Sequence, residues 1–310
     1  MKAVRIHEQV GLDGLVYEEA PDPAPAAGDV LVEVRACGFT PNELDWPGTW
    51  VDRAGRPRTP TVPGHEVAGV VAALGWGTTG LSVGDEVFGL SDPFRDGAAA
   101  EYIAIEARNV ALKPAGVDFV GAAALPQAGL TAWQGLCVHG RLSRSQTVLV
   151  HGAAGGVGSM AVQVARSVGA KAIGTGRASA RDRVLDLGTV RFVDLDEEPF
   201  EYVVRDVDMV FDTIGGDVLA RSGGVVREGG ALVSIVMPAP PDAVPEGVRS
   251  IYFVREPDRA QLQEIAERVD AGELRPQVGA VFPLSEAREA FRAKNGKNGK
   301  TIPGKVVLTL

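Results

Sequence analysis

Val148-Leu149-Val150-His151-Gly152-Ala153-Ala154-Gly155-Gly156-Val157-Gly158 is the most informative stretch of this 310-residue chain. Val148–Val150 reads as a short buried strand and the glycines as a turn. Val157, Ala161, Val164, Ala165 and Val168 then recur at helical spacing. A strand feeding a glycine turn that opens a helix is the setting a dinucleotide site requires. Glycines at 152, 155 and 158 permit a sharp turn and close backbone approach to a pyrophosphate. The helix start offers that anion N–H groups and a positive dipole end. The uncharged run Gln146 to Ala165 has the length of a membrane span, but Gly152, Gly155, Gly156 and Gly158 interrupt it.

Downstream of the glycines the chain reads as alternating strands and helices. Lys171 to Thr175 is a strand, Ala180 to Leu187 a helix and Arg191 to Val193 a strand. Asp208 to Asp212, Ala231 to Val236 and Ile251 to Val254 add three apolar strands. Such alternation predicts a parallel sheet covered on both faces. Leu262, Ile265, Ala266 and Val269 mark a last helix face, ended by Gly272. Upstream, Lys2 to His7, Asp29 to Cys37, Glu66 to Leu74, Val83 to Leu90 and Glu101 to Ile105 read as short strands. Their Gly and Pro punctuation points to a small antiparallel barrel or sandwich. In the tail, Ser285 is placed to cap a helix carrying Ala287, Ala290 and Phe291, and Lys305 to Leu310 reads as a final strand.

The composition agrees with this layout. Hydrophobic residues at 45% and charged residues at 23% suit a soluble, packed chain, and the length suits two domains. With 31 Lys+Arg against 40 Asp+Glu the net charge is −9, which argues against nucleic acid or an anionic membrane as a partner. Cys37 and Cys137 are the only cysteines, so a disulfide framework is excluded and the cytoplasm is the expected compartment. No secretory signal is expected, because no apolar run follows Lys2, Arg5, His7 and Glu8.

The end of the second strand of the nucleotide unit speaks to cofactor choice. An NAD site places an acidic residue about twenty positions beyond the glycines to hold the ribose hydroxyls. From Gly152 to Arg181 there is no acidic residue; Thr175, Gly176, Arg177, Ser179 and Arg181 stand there instead. A guanidinium binds a 2′-phosphate that a carboxylate would repel, so NADP(H) is expected, read by Arg177. Arg181 and Arg183 are read as the solvated face of the next helix.

Val62-Pro63-Gly64-His65-Glu66-Val67-Ala68-Gly69 resembles the Gly-His-Glu stretch of medium-chain dehydrogenases/reductases, whose His binds a catalytic zinc. Gly84-Asp85-Glu86-Val87, Ala100-Glu101-Tyr102, Ala128-Gly129-Leu130-Thr131-Ala132, the glycine loop and Gly304-Lys305-Val306-Val307-Leu308 follow in the same order. The chain departs where the zinc enzymes carry ligands. Thr40 and Gln127 stand at the two cysteine positions, and Ser91 to Ala100 contains no cysteine for a structural zinc. His65 alone cannot hold a catalytic zinc, which needs about three protein ligands. The chain therefore resembles the zinc-independent quinone oxidoreductase branch, with no metal expected.

The resemblance implies a doubly wound parallel Rossmann sheet (119–275) plus a GroES-like antiparallel β-barrel domain (1–118 and 276–310). It also implies NADPH-dependent reduction of a quinone or α,β-unsaturated carbonyl by a homodimer. On the cofactor side it points to Thr131, Gly155, Gly156, Val157, Gly158, Thr175, Gly176, Arg177, Ile214, Gly215, Val236 and Phe253. Around the substrate it points to Phe39, Thr40, Trp46, Trp50 and Gln127. The indoles of Trp46 and Trp50 either stack on a flat substrate ring or pack under their Pro-Gly loop. Arg53, Arg56 and Arg58 read as solvated surface. A conjugated acceptor spreads the charge that arrives with hydride, so it needs no Lewis acid. Two other readings stay open: a zinc-dependent alcohol dehydrogenase with atypical ligands, and a non-catalytic NADPH-binding redox sensor.

Overall fold

Alternating apolar residues fold the N-terminal third into β1 (Lys2–Ile6), β2 (Leu15–Glu19), β3 (Asp29–Gly38), β4 (Glu66–Leu74), β5 (Glu86–Leu90), β6 (Tyr102–Glu106) and β7 (Val110–Leu112), with a single helical turn, α1 (Pro47–Trp50). The computed structural model describes residues 1–295 and 302–310. Next come α2 (Phe119–Ala123), α3 (Pro126–Trp133) and a π-helical turn at Gln134–His139. The parallel region carries β8 (Thr147–Val150), α4 (Gly156–Ser167), β9 (Lys171–Gly176), α5 (Arg181–Asp186), β10 (Arg191–Asp194), α6 (Phe200–Val203), β11 (Val207–Asp212), α7 (Gly216–Ser222), β12 (Val226–Ser234) and β13 (Arg249–Tyr252). The chain closes with α8 (Arg259–Asp270), β14 (Val278–Pro283), α9 (Ala287–Asn295) and β15 (Lys305–Thr309).

Two compact units result: Met1–Gln127 with Pro257–Asp270 and Pro276–Leu310, and Ala128–Glu256 with Ala271–Arg275. In the first, the hydrogen-bonded path runs β14-β15-β3-β4-β5-β7, with β6 added beside β3. All these pairings are antiparallel except β14 with β15. The expected face of β3 is buried, with Val30, Val32, Val34 and Ala36 at most 2% exposed. Helix α8 belongs to this unit, whereas a 119–275 boundary would give it to the second; the Asp270 carboxylate accepts the Gly116 N–H at 2.8 Å.

The second unit is a parallel sheet of order β10-β9-β8-β11-β12-β13. The order reverses between β8 and β11, the point at which open α/β sheets bind ligands beyond their strand ends. Several boundaries differ from the sequence reading. β5 starts at Glu86, not Val83, because Gly84 takes φ 94 in a turn and Val83 stays 63% exposed. β12 runs from Val226 to Ser234 and β13 ends at Tyr252. Ser285 lies within a 3-10 turn, Leu284–Glu286, that precedes α9.

Candidate functional site

The glycine turn joins β8 to α4 as the sequence predicts. Gly152 takes φ 71, and a Cβ there would lie 2.5 Å from the Thr213 hydroxyl. The Gly155 N–H closes on the Gly152 carbonyl at 2.9 Å, and Gly155 is the N-cap of α4. A Cβ at Gly158 would collide with that same Gly152 carbonyl, so only glycine lets the helix start so close to the turn. The first turn of α4 presents the N–H groups of Gly156, Val157 and Gly158, which have no carbonyl partner within the helix.

A buried histidine braces this turn. His151 is 0% exposed, with Nδ1 3.0 Å from the Thr175 hydroxyl and Nε2 3.0 Å from the Ser222 hydroxyl. Ser222 donates its own proton to the Val218 carbonyl, so the imidazole donates from Nε2 and accepts at Nδ1 from Thr175. Burial, helped by the nearby Arg221 charge, lowers the His151 pKa to about 3 and keeps the ring neutral. Thr175 is itself fully buried, and its carbonyl accepts the Ala153 N–H at 3.0 Å. Its hydroxyl is thus engaged by His151 inside the fold. Gly176 and Arg177 follow at the surface end of β9. The Arg177 guanidinium is 3.8 Å from the Asp196 carboxylate, both side chains about 70% exposed.

A second latch, which the sequence did not reveal, orders the ends of β11 and β12. The fully buried Asp212 carboxylate accepts the Ile214 N–H at 3.2 Å, the Gly215 N–H at 3.0 Å and the Ser234 hydroxyl at 3.0 Å. Ser234 Oγ in turn accepts the Val236 N–H at 3.2 Å. Gly215 takes φ 77, and a Cβ there would lie 2.9 Å from the Val236 side chain. The structure thus brings the glycine turn, Ile214, Gly215 and Val236 together. Thr131 is buried on α3, and Phe253 is buried with its ring 4.6 Å from that of His139.

In the first unit the predicted substrate residues separate. Phe39 is 2% exposed, and its ring stacks on Phe291 at 3.9 Å; it belongs to the core and does not line a pocket with its ring. Trp50 packs against the same core and donates Nε1–H to the Leu44 carbonyl at 2.8 Å, the loop-packing alternative. Trp46 stacks on His65 at 5.8 Å with a 23° interplanar angle. His65 is buried, its Nδ1 2.8 Å from the Ser91 hydroxyl. Glu66 accepts the Gln127 N–H at 3.0 Å and pairs with buried Lys305, which also donates to the Phe39 carbonyl at 2.9 Å. Thr40 reaches Glu43 through its N–H. The basic loop is tied down, Arg53 to Asp92, Arg56 to Asp52 and Arg58 to Asp96. Burial pushes the Cys37 thiol well above its usual range, and the Glu43 and Glu66 carboxylates add to this.

Residues 26–115 match the alcohol dehydrogenase GroES-like domain family, and residues 182–308 match the zinc-binding dehydrogenase family. A 2-methylene-furan-3-one reductase of Solanum lycopersicum is 36% identical over 257 residues. That is 80% of this chain but 63% of the relative, so the chain spans less than two thirds of that protein's length. A chloroplastic NADPH-dependent alkenal/one oxidoreductase of Arabidopsis thaliana is 34% identical over 315 residues, 97% of this chain and 79% of the relative. The solved structure of a quinone oxidoreductase from Coxiella burnetii aligns with a TM-score of 0.90 at 26% identity, covering 100% of this chain and 99% of that one. The chain belongs to the medium-chain dehydrogenase/reductase superfamily, in its quinone oxidoreductase branch, and is an oxidoreductase of a family that uses nicotinamide cofactors.

Proposed function

We propose that the protein transfers hydride from NADPH to a quinone or an α,β-unsaturated carbonyl, without zinc. The observation that carries this reading is the turn from β8 into α4, where glycines at 152 and 158 let the helix start against the turn and leave the N–H groups of Gly156, Val157 and Gly158 without partners inside it, beside Ile214, Gly215 and Val236. Bound NADPH supplies the hydride. The protein's own share is binding and orientation. The first N–H groups of α4 receive the diphosphate, Arg177 the 2′-phosphate, and Ile214, Gly215 and Val236 flank the remainder. The proton that completes reduction comes from water or a hydroxyl.

The donor chemistry around His65 supports zinc independence. Thr40 and Gln127 offer a hydroxyl and an amide, both poor zinc ligands beside thiolate and imidazole. The Glu66 carboxylate is already neutralised by Lys305. Among the described residues, no group of three or more His, Cys, Asp and Glu side chains converges as a metal site would need. The names of the alkenal/one and furanone relatives support a conjugated acceptor. We place the protein in the cytoplasm as a homodimer. Cys37 and Cys137 form no disulfide, and no described helix is long and apolar enough to cross a membrane.

The test joins turnover to metal content. Purified protein is expected to oxidise NADPH with a benzoquinone or an alkenal, to use NADH poorly, and to hold far less than one zinc per chain. Silence toward every acceptor, or stoichiometric zinc whose chelation stops the reaction, overturns the proposal.

A further inference from the structure

Glu43 is a buried carboxylate that hydride transfer leaves without a role, yet it is the hub of the loops around Thr40 and His65. It is 1% exposed and opens a 3-10 turn, Glu43–Asp45. One carboxylate oxygen accepts the Thr40 N–H at 2.9 Å, and the other accepts the Gly64 N–H at 2.6 Å. Its main-chain oxygen accepts the Thr49 hydroxyl at 2.6 Å and the Trp46 N–H at 3.2 Å. Four bonds from one residue thus reach Thr40, the neighbour of His65, Trp46 and the turn that bears Trp50. Gly64 itself must be glycine, because it holds φ 82 and a Cβ there would collide with the Cys37 sulfur.

We propose that Glu43 is a positioning residue for the electrophile: by accepting from Thr40 and Gly64 at once, it holds Thr40, Trp46 and His65 as one wall. The inference rests on the proposed reaction, in which that wall faces the acceptor. Only a carboxylate on a two-methylene stem fits the task. Aspartate is one methylene short, and glutamine meets one of the two N–H groups with an NH₂ donor. The neighbouring charged and titratable groups are engaged elsewhere, Cys37 with the Gly38 carbonyl and Lys305 with Glu66 and the Phe39 carbonyl.

Steady-state kinetics of Glu43→Gln and Glu43→Asp, beside NADPH titrations, test this. Loss of one of the two carboxylate hydrogen bonds should raise the KM for the quinone or alkenal about tenfold, with a smaller change in kcat and the NADPH Kd unmoved. A merely structural role would lower the folded fraction, and with it kcat, at unchanged KM. A Glu43→Gln protein whose acceptor KM stays within about twofold of wild type overturns the proposal. If wild type reduces none of the acceptors, the reaction reading alone fails, and hydrogen exchange decides for Glu43. Faster exchange of the Thr40 and Gly64 amides in Glu43→Gln supports the role, and equal protection overturns it.

Discussion

On the proposed function, Arg177 carries the cofactor preference on a single exposed side chain, and its neighbour Asp196 sets how much of that charge a ligand meets. Their 3.8 Å pairing joins two groups about 70% exposed, a contact of a kind worth about 0–1 kcal/mol. A 2′-phosphate with two negative charges should displace it readily. Arg177→Ala is expected to weaken NADPH by about 1.5–3 kcal/mol while leaving NADH nearly unchanged. Asp196→Ala should tighten NADPH roughly threefold by removing the competing anion. Fluorescence titration with both cofactors reads each effect, and equal losses for NADPH and NADH in Arg177→Ala would take the phosphate away from Arg177. His151 governs acid stability instead. Its folded pKa of about 3 lies below the ordinary 6.5, so the native state binds fewer protons than the unfolded chain. Its contribution is fully present above pH 6.5 and is lost as pH falls toward 3. In thermal melts across that window, His151→Gln should start less stable but decline less steeply than wild type; parallel slopes would show that the folded imidazole takes up its proton as readily as the unfolded one. These residues also show what could be read in advance. The glycines and the missing acid near Arg177 leave a trace in residue identity. Asp212, Ser234 and Glu43 leave none, because their partners are largely backbone N–H groups that every sequence possesses.

At the scale of elements, the turn between β8 and α4 separates two demands that the glycines meet. Gly158 serves packing, since its hydrogen faces the Gly152 carbonyl inside the fold. Gly155 is exposed, and a Cβ there would meet that carbonyl only at 3.2 Å, a distance a small shift can relieve. Gly158→Ala should therefore cost about 1–3 kcal/mol of stability by overpacking. Gly155→Val should melt close to wild type yet fail to bind NADPH, because its side chain would project where the proposed reading puts the diphosphate. Differential scanning fluorimetry with and without NADPH distinguishes the two; a Gly155→Val protein that still gains stability from NADPH would place the diphosphate elsewhere. Legibility followed burial here too. β3 and β8 to β11 were readable because their apolar runs are buried, with Val148, Leu149 and Val150 all 0% exposed. β2, with Val16 and Tyr17 exposed, and the three-residue β7 escaped notice because too little of either faces a core to impose a pattern. β14 alternates only between half-buried and exposed positions, which removes the contrast that a period of two depends on.

For the whole molecule, the net charge of −9 and the open edges of the parallel sheet decide which associations are physically sensible. That sheet ends at β10 on one side and at β13 on the other. An unpaired strand edge invites pairing with another chain unless charge guards it. Beyond β10 the chain carries Asp196, Glu197 and Glu198 in succession, so two copies meeting there would repel. β13 pairs only with β12 among the described strands. It leads into Tyr252 at 45% exposure and Val254 at 67%, apolar surface with no like charge in the strand end itself. A twofold axis beside β13 would pair it antiparallel with its own copy and make the contact self-complementary. Light scattering after size exclusion should then give twice the mass of the chain. Replacing Tyr252 and Val254 together by Lys should halve that mass while leaving the melting temperature of each copy close to wild type, because both side chains are exposed. A wild-type protein that elutes as a monomer at micromolar concentration, or a double variant that remains dimeric, would remove β13 as the interface and turn attention to surfaces of the first unit.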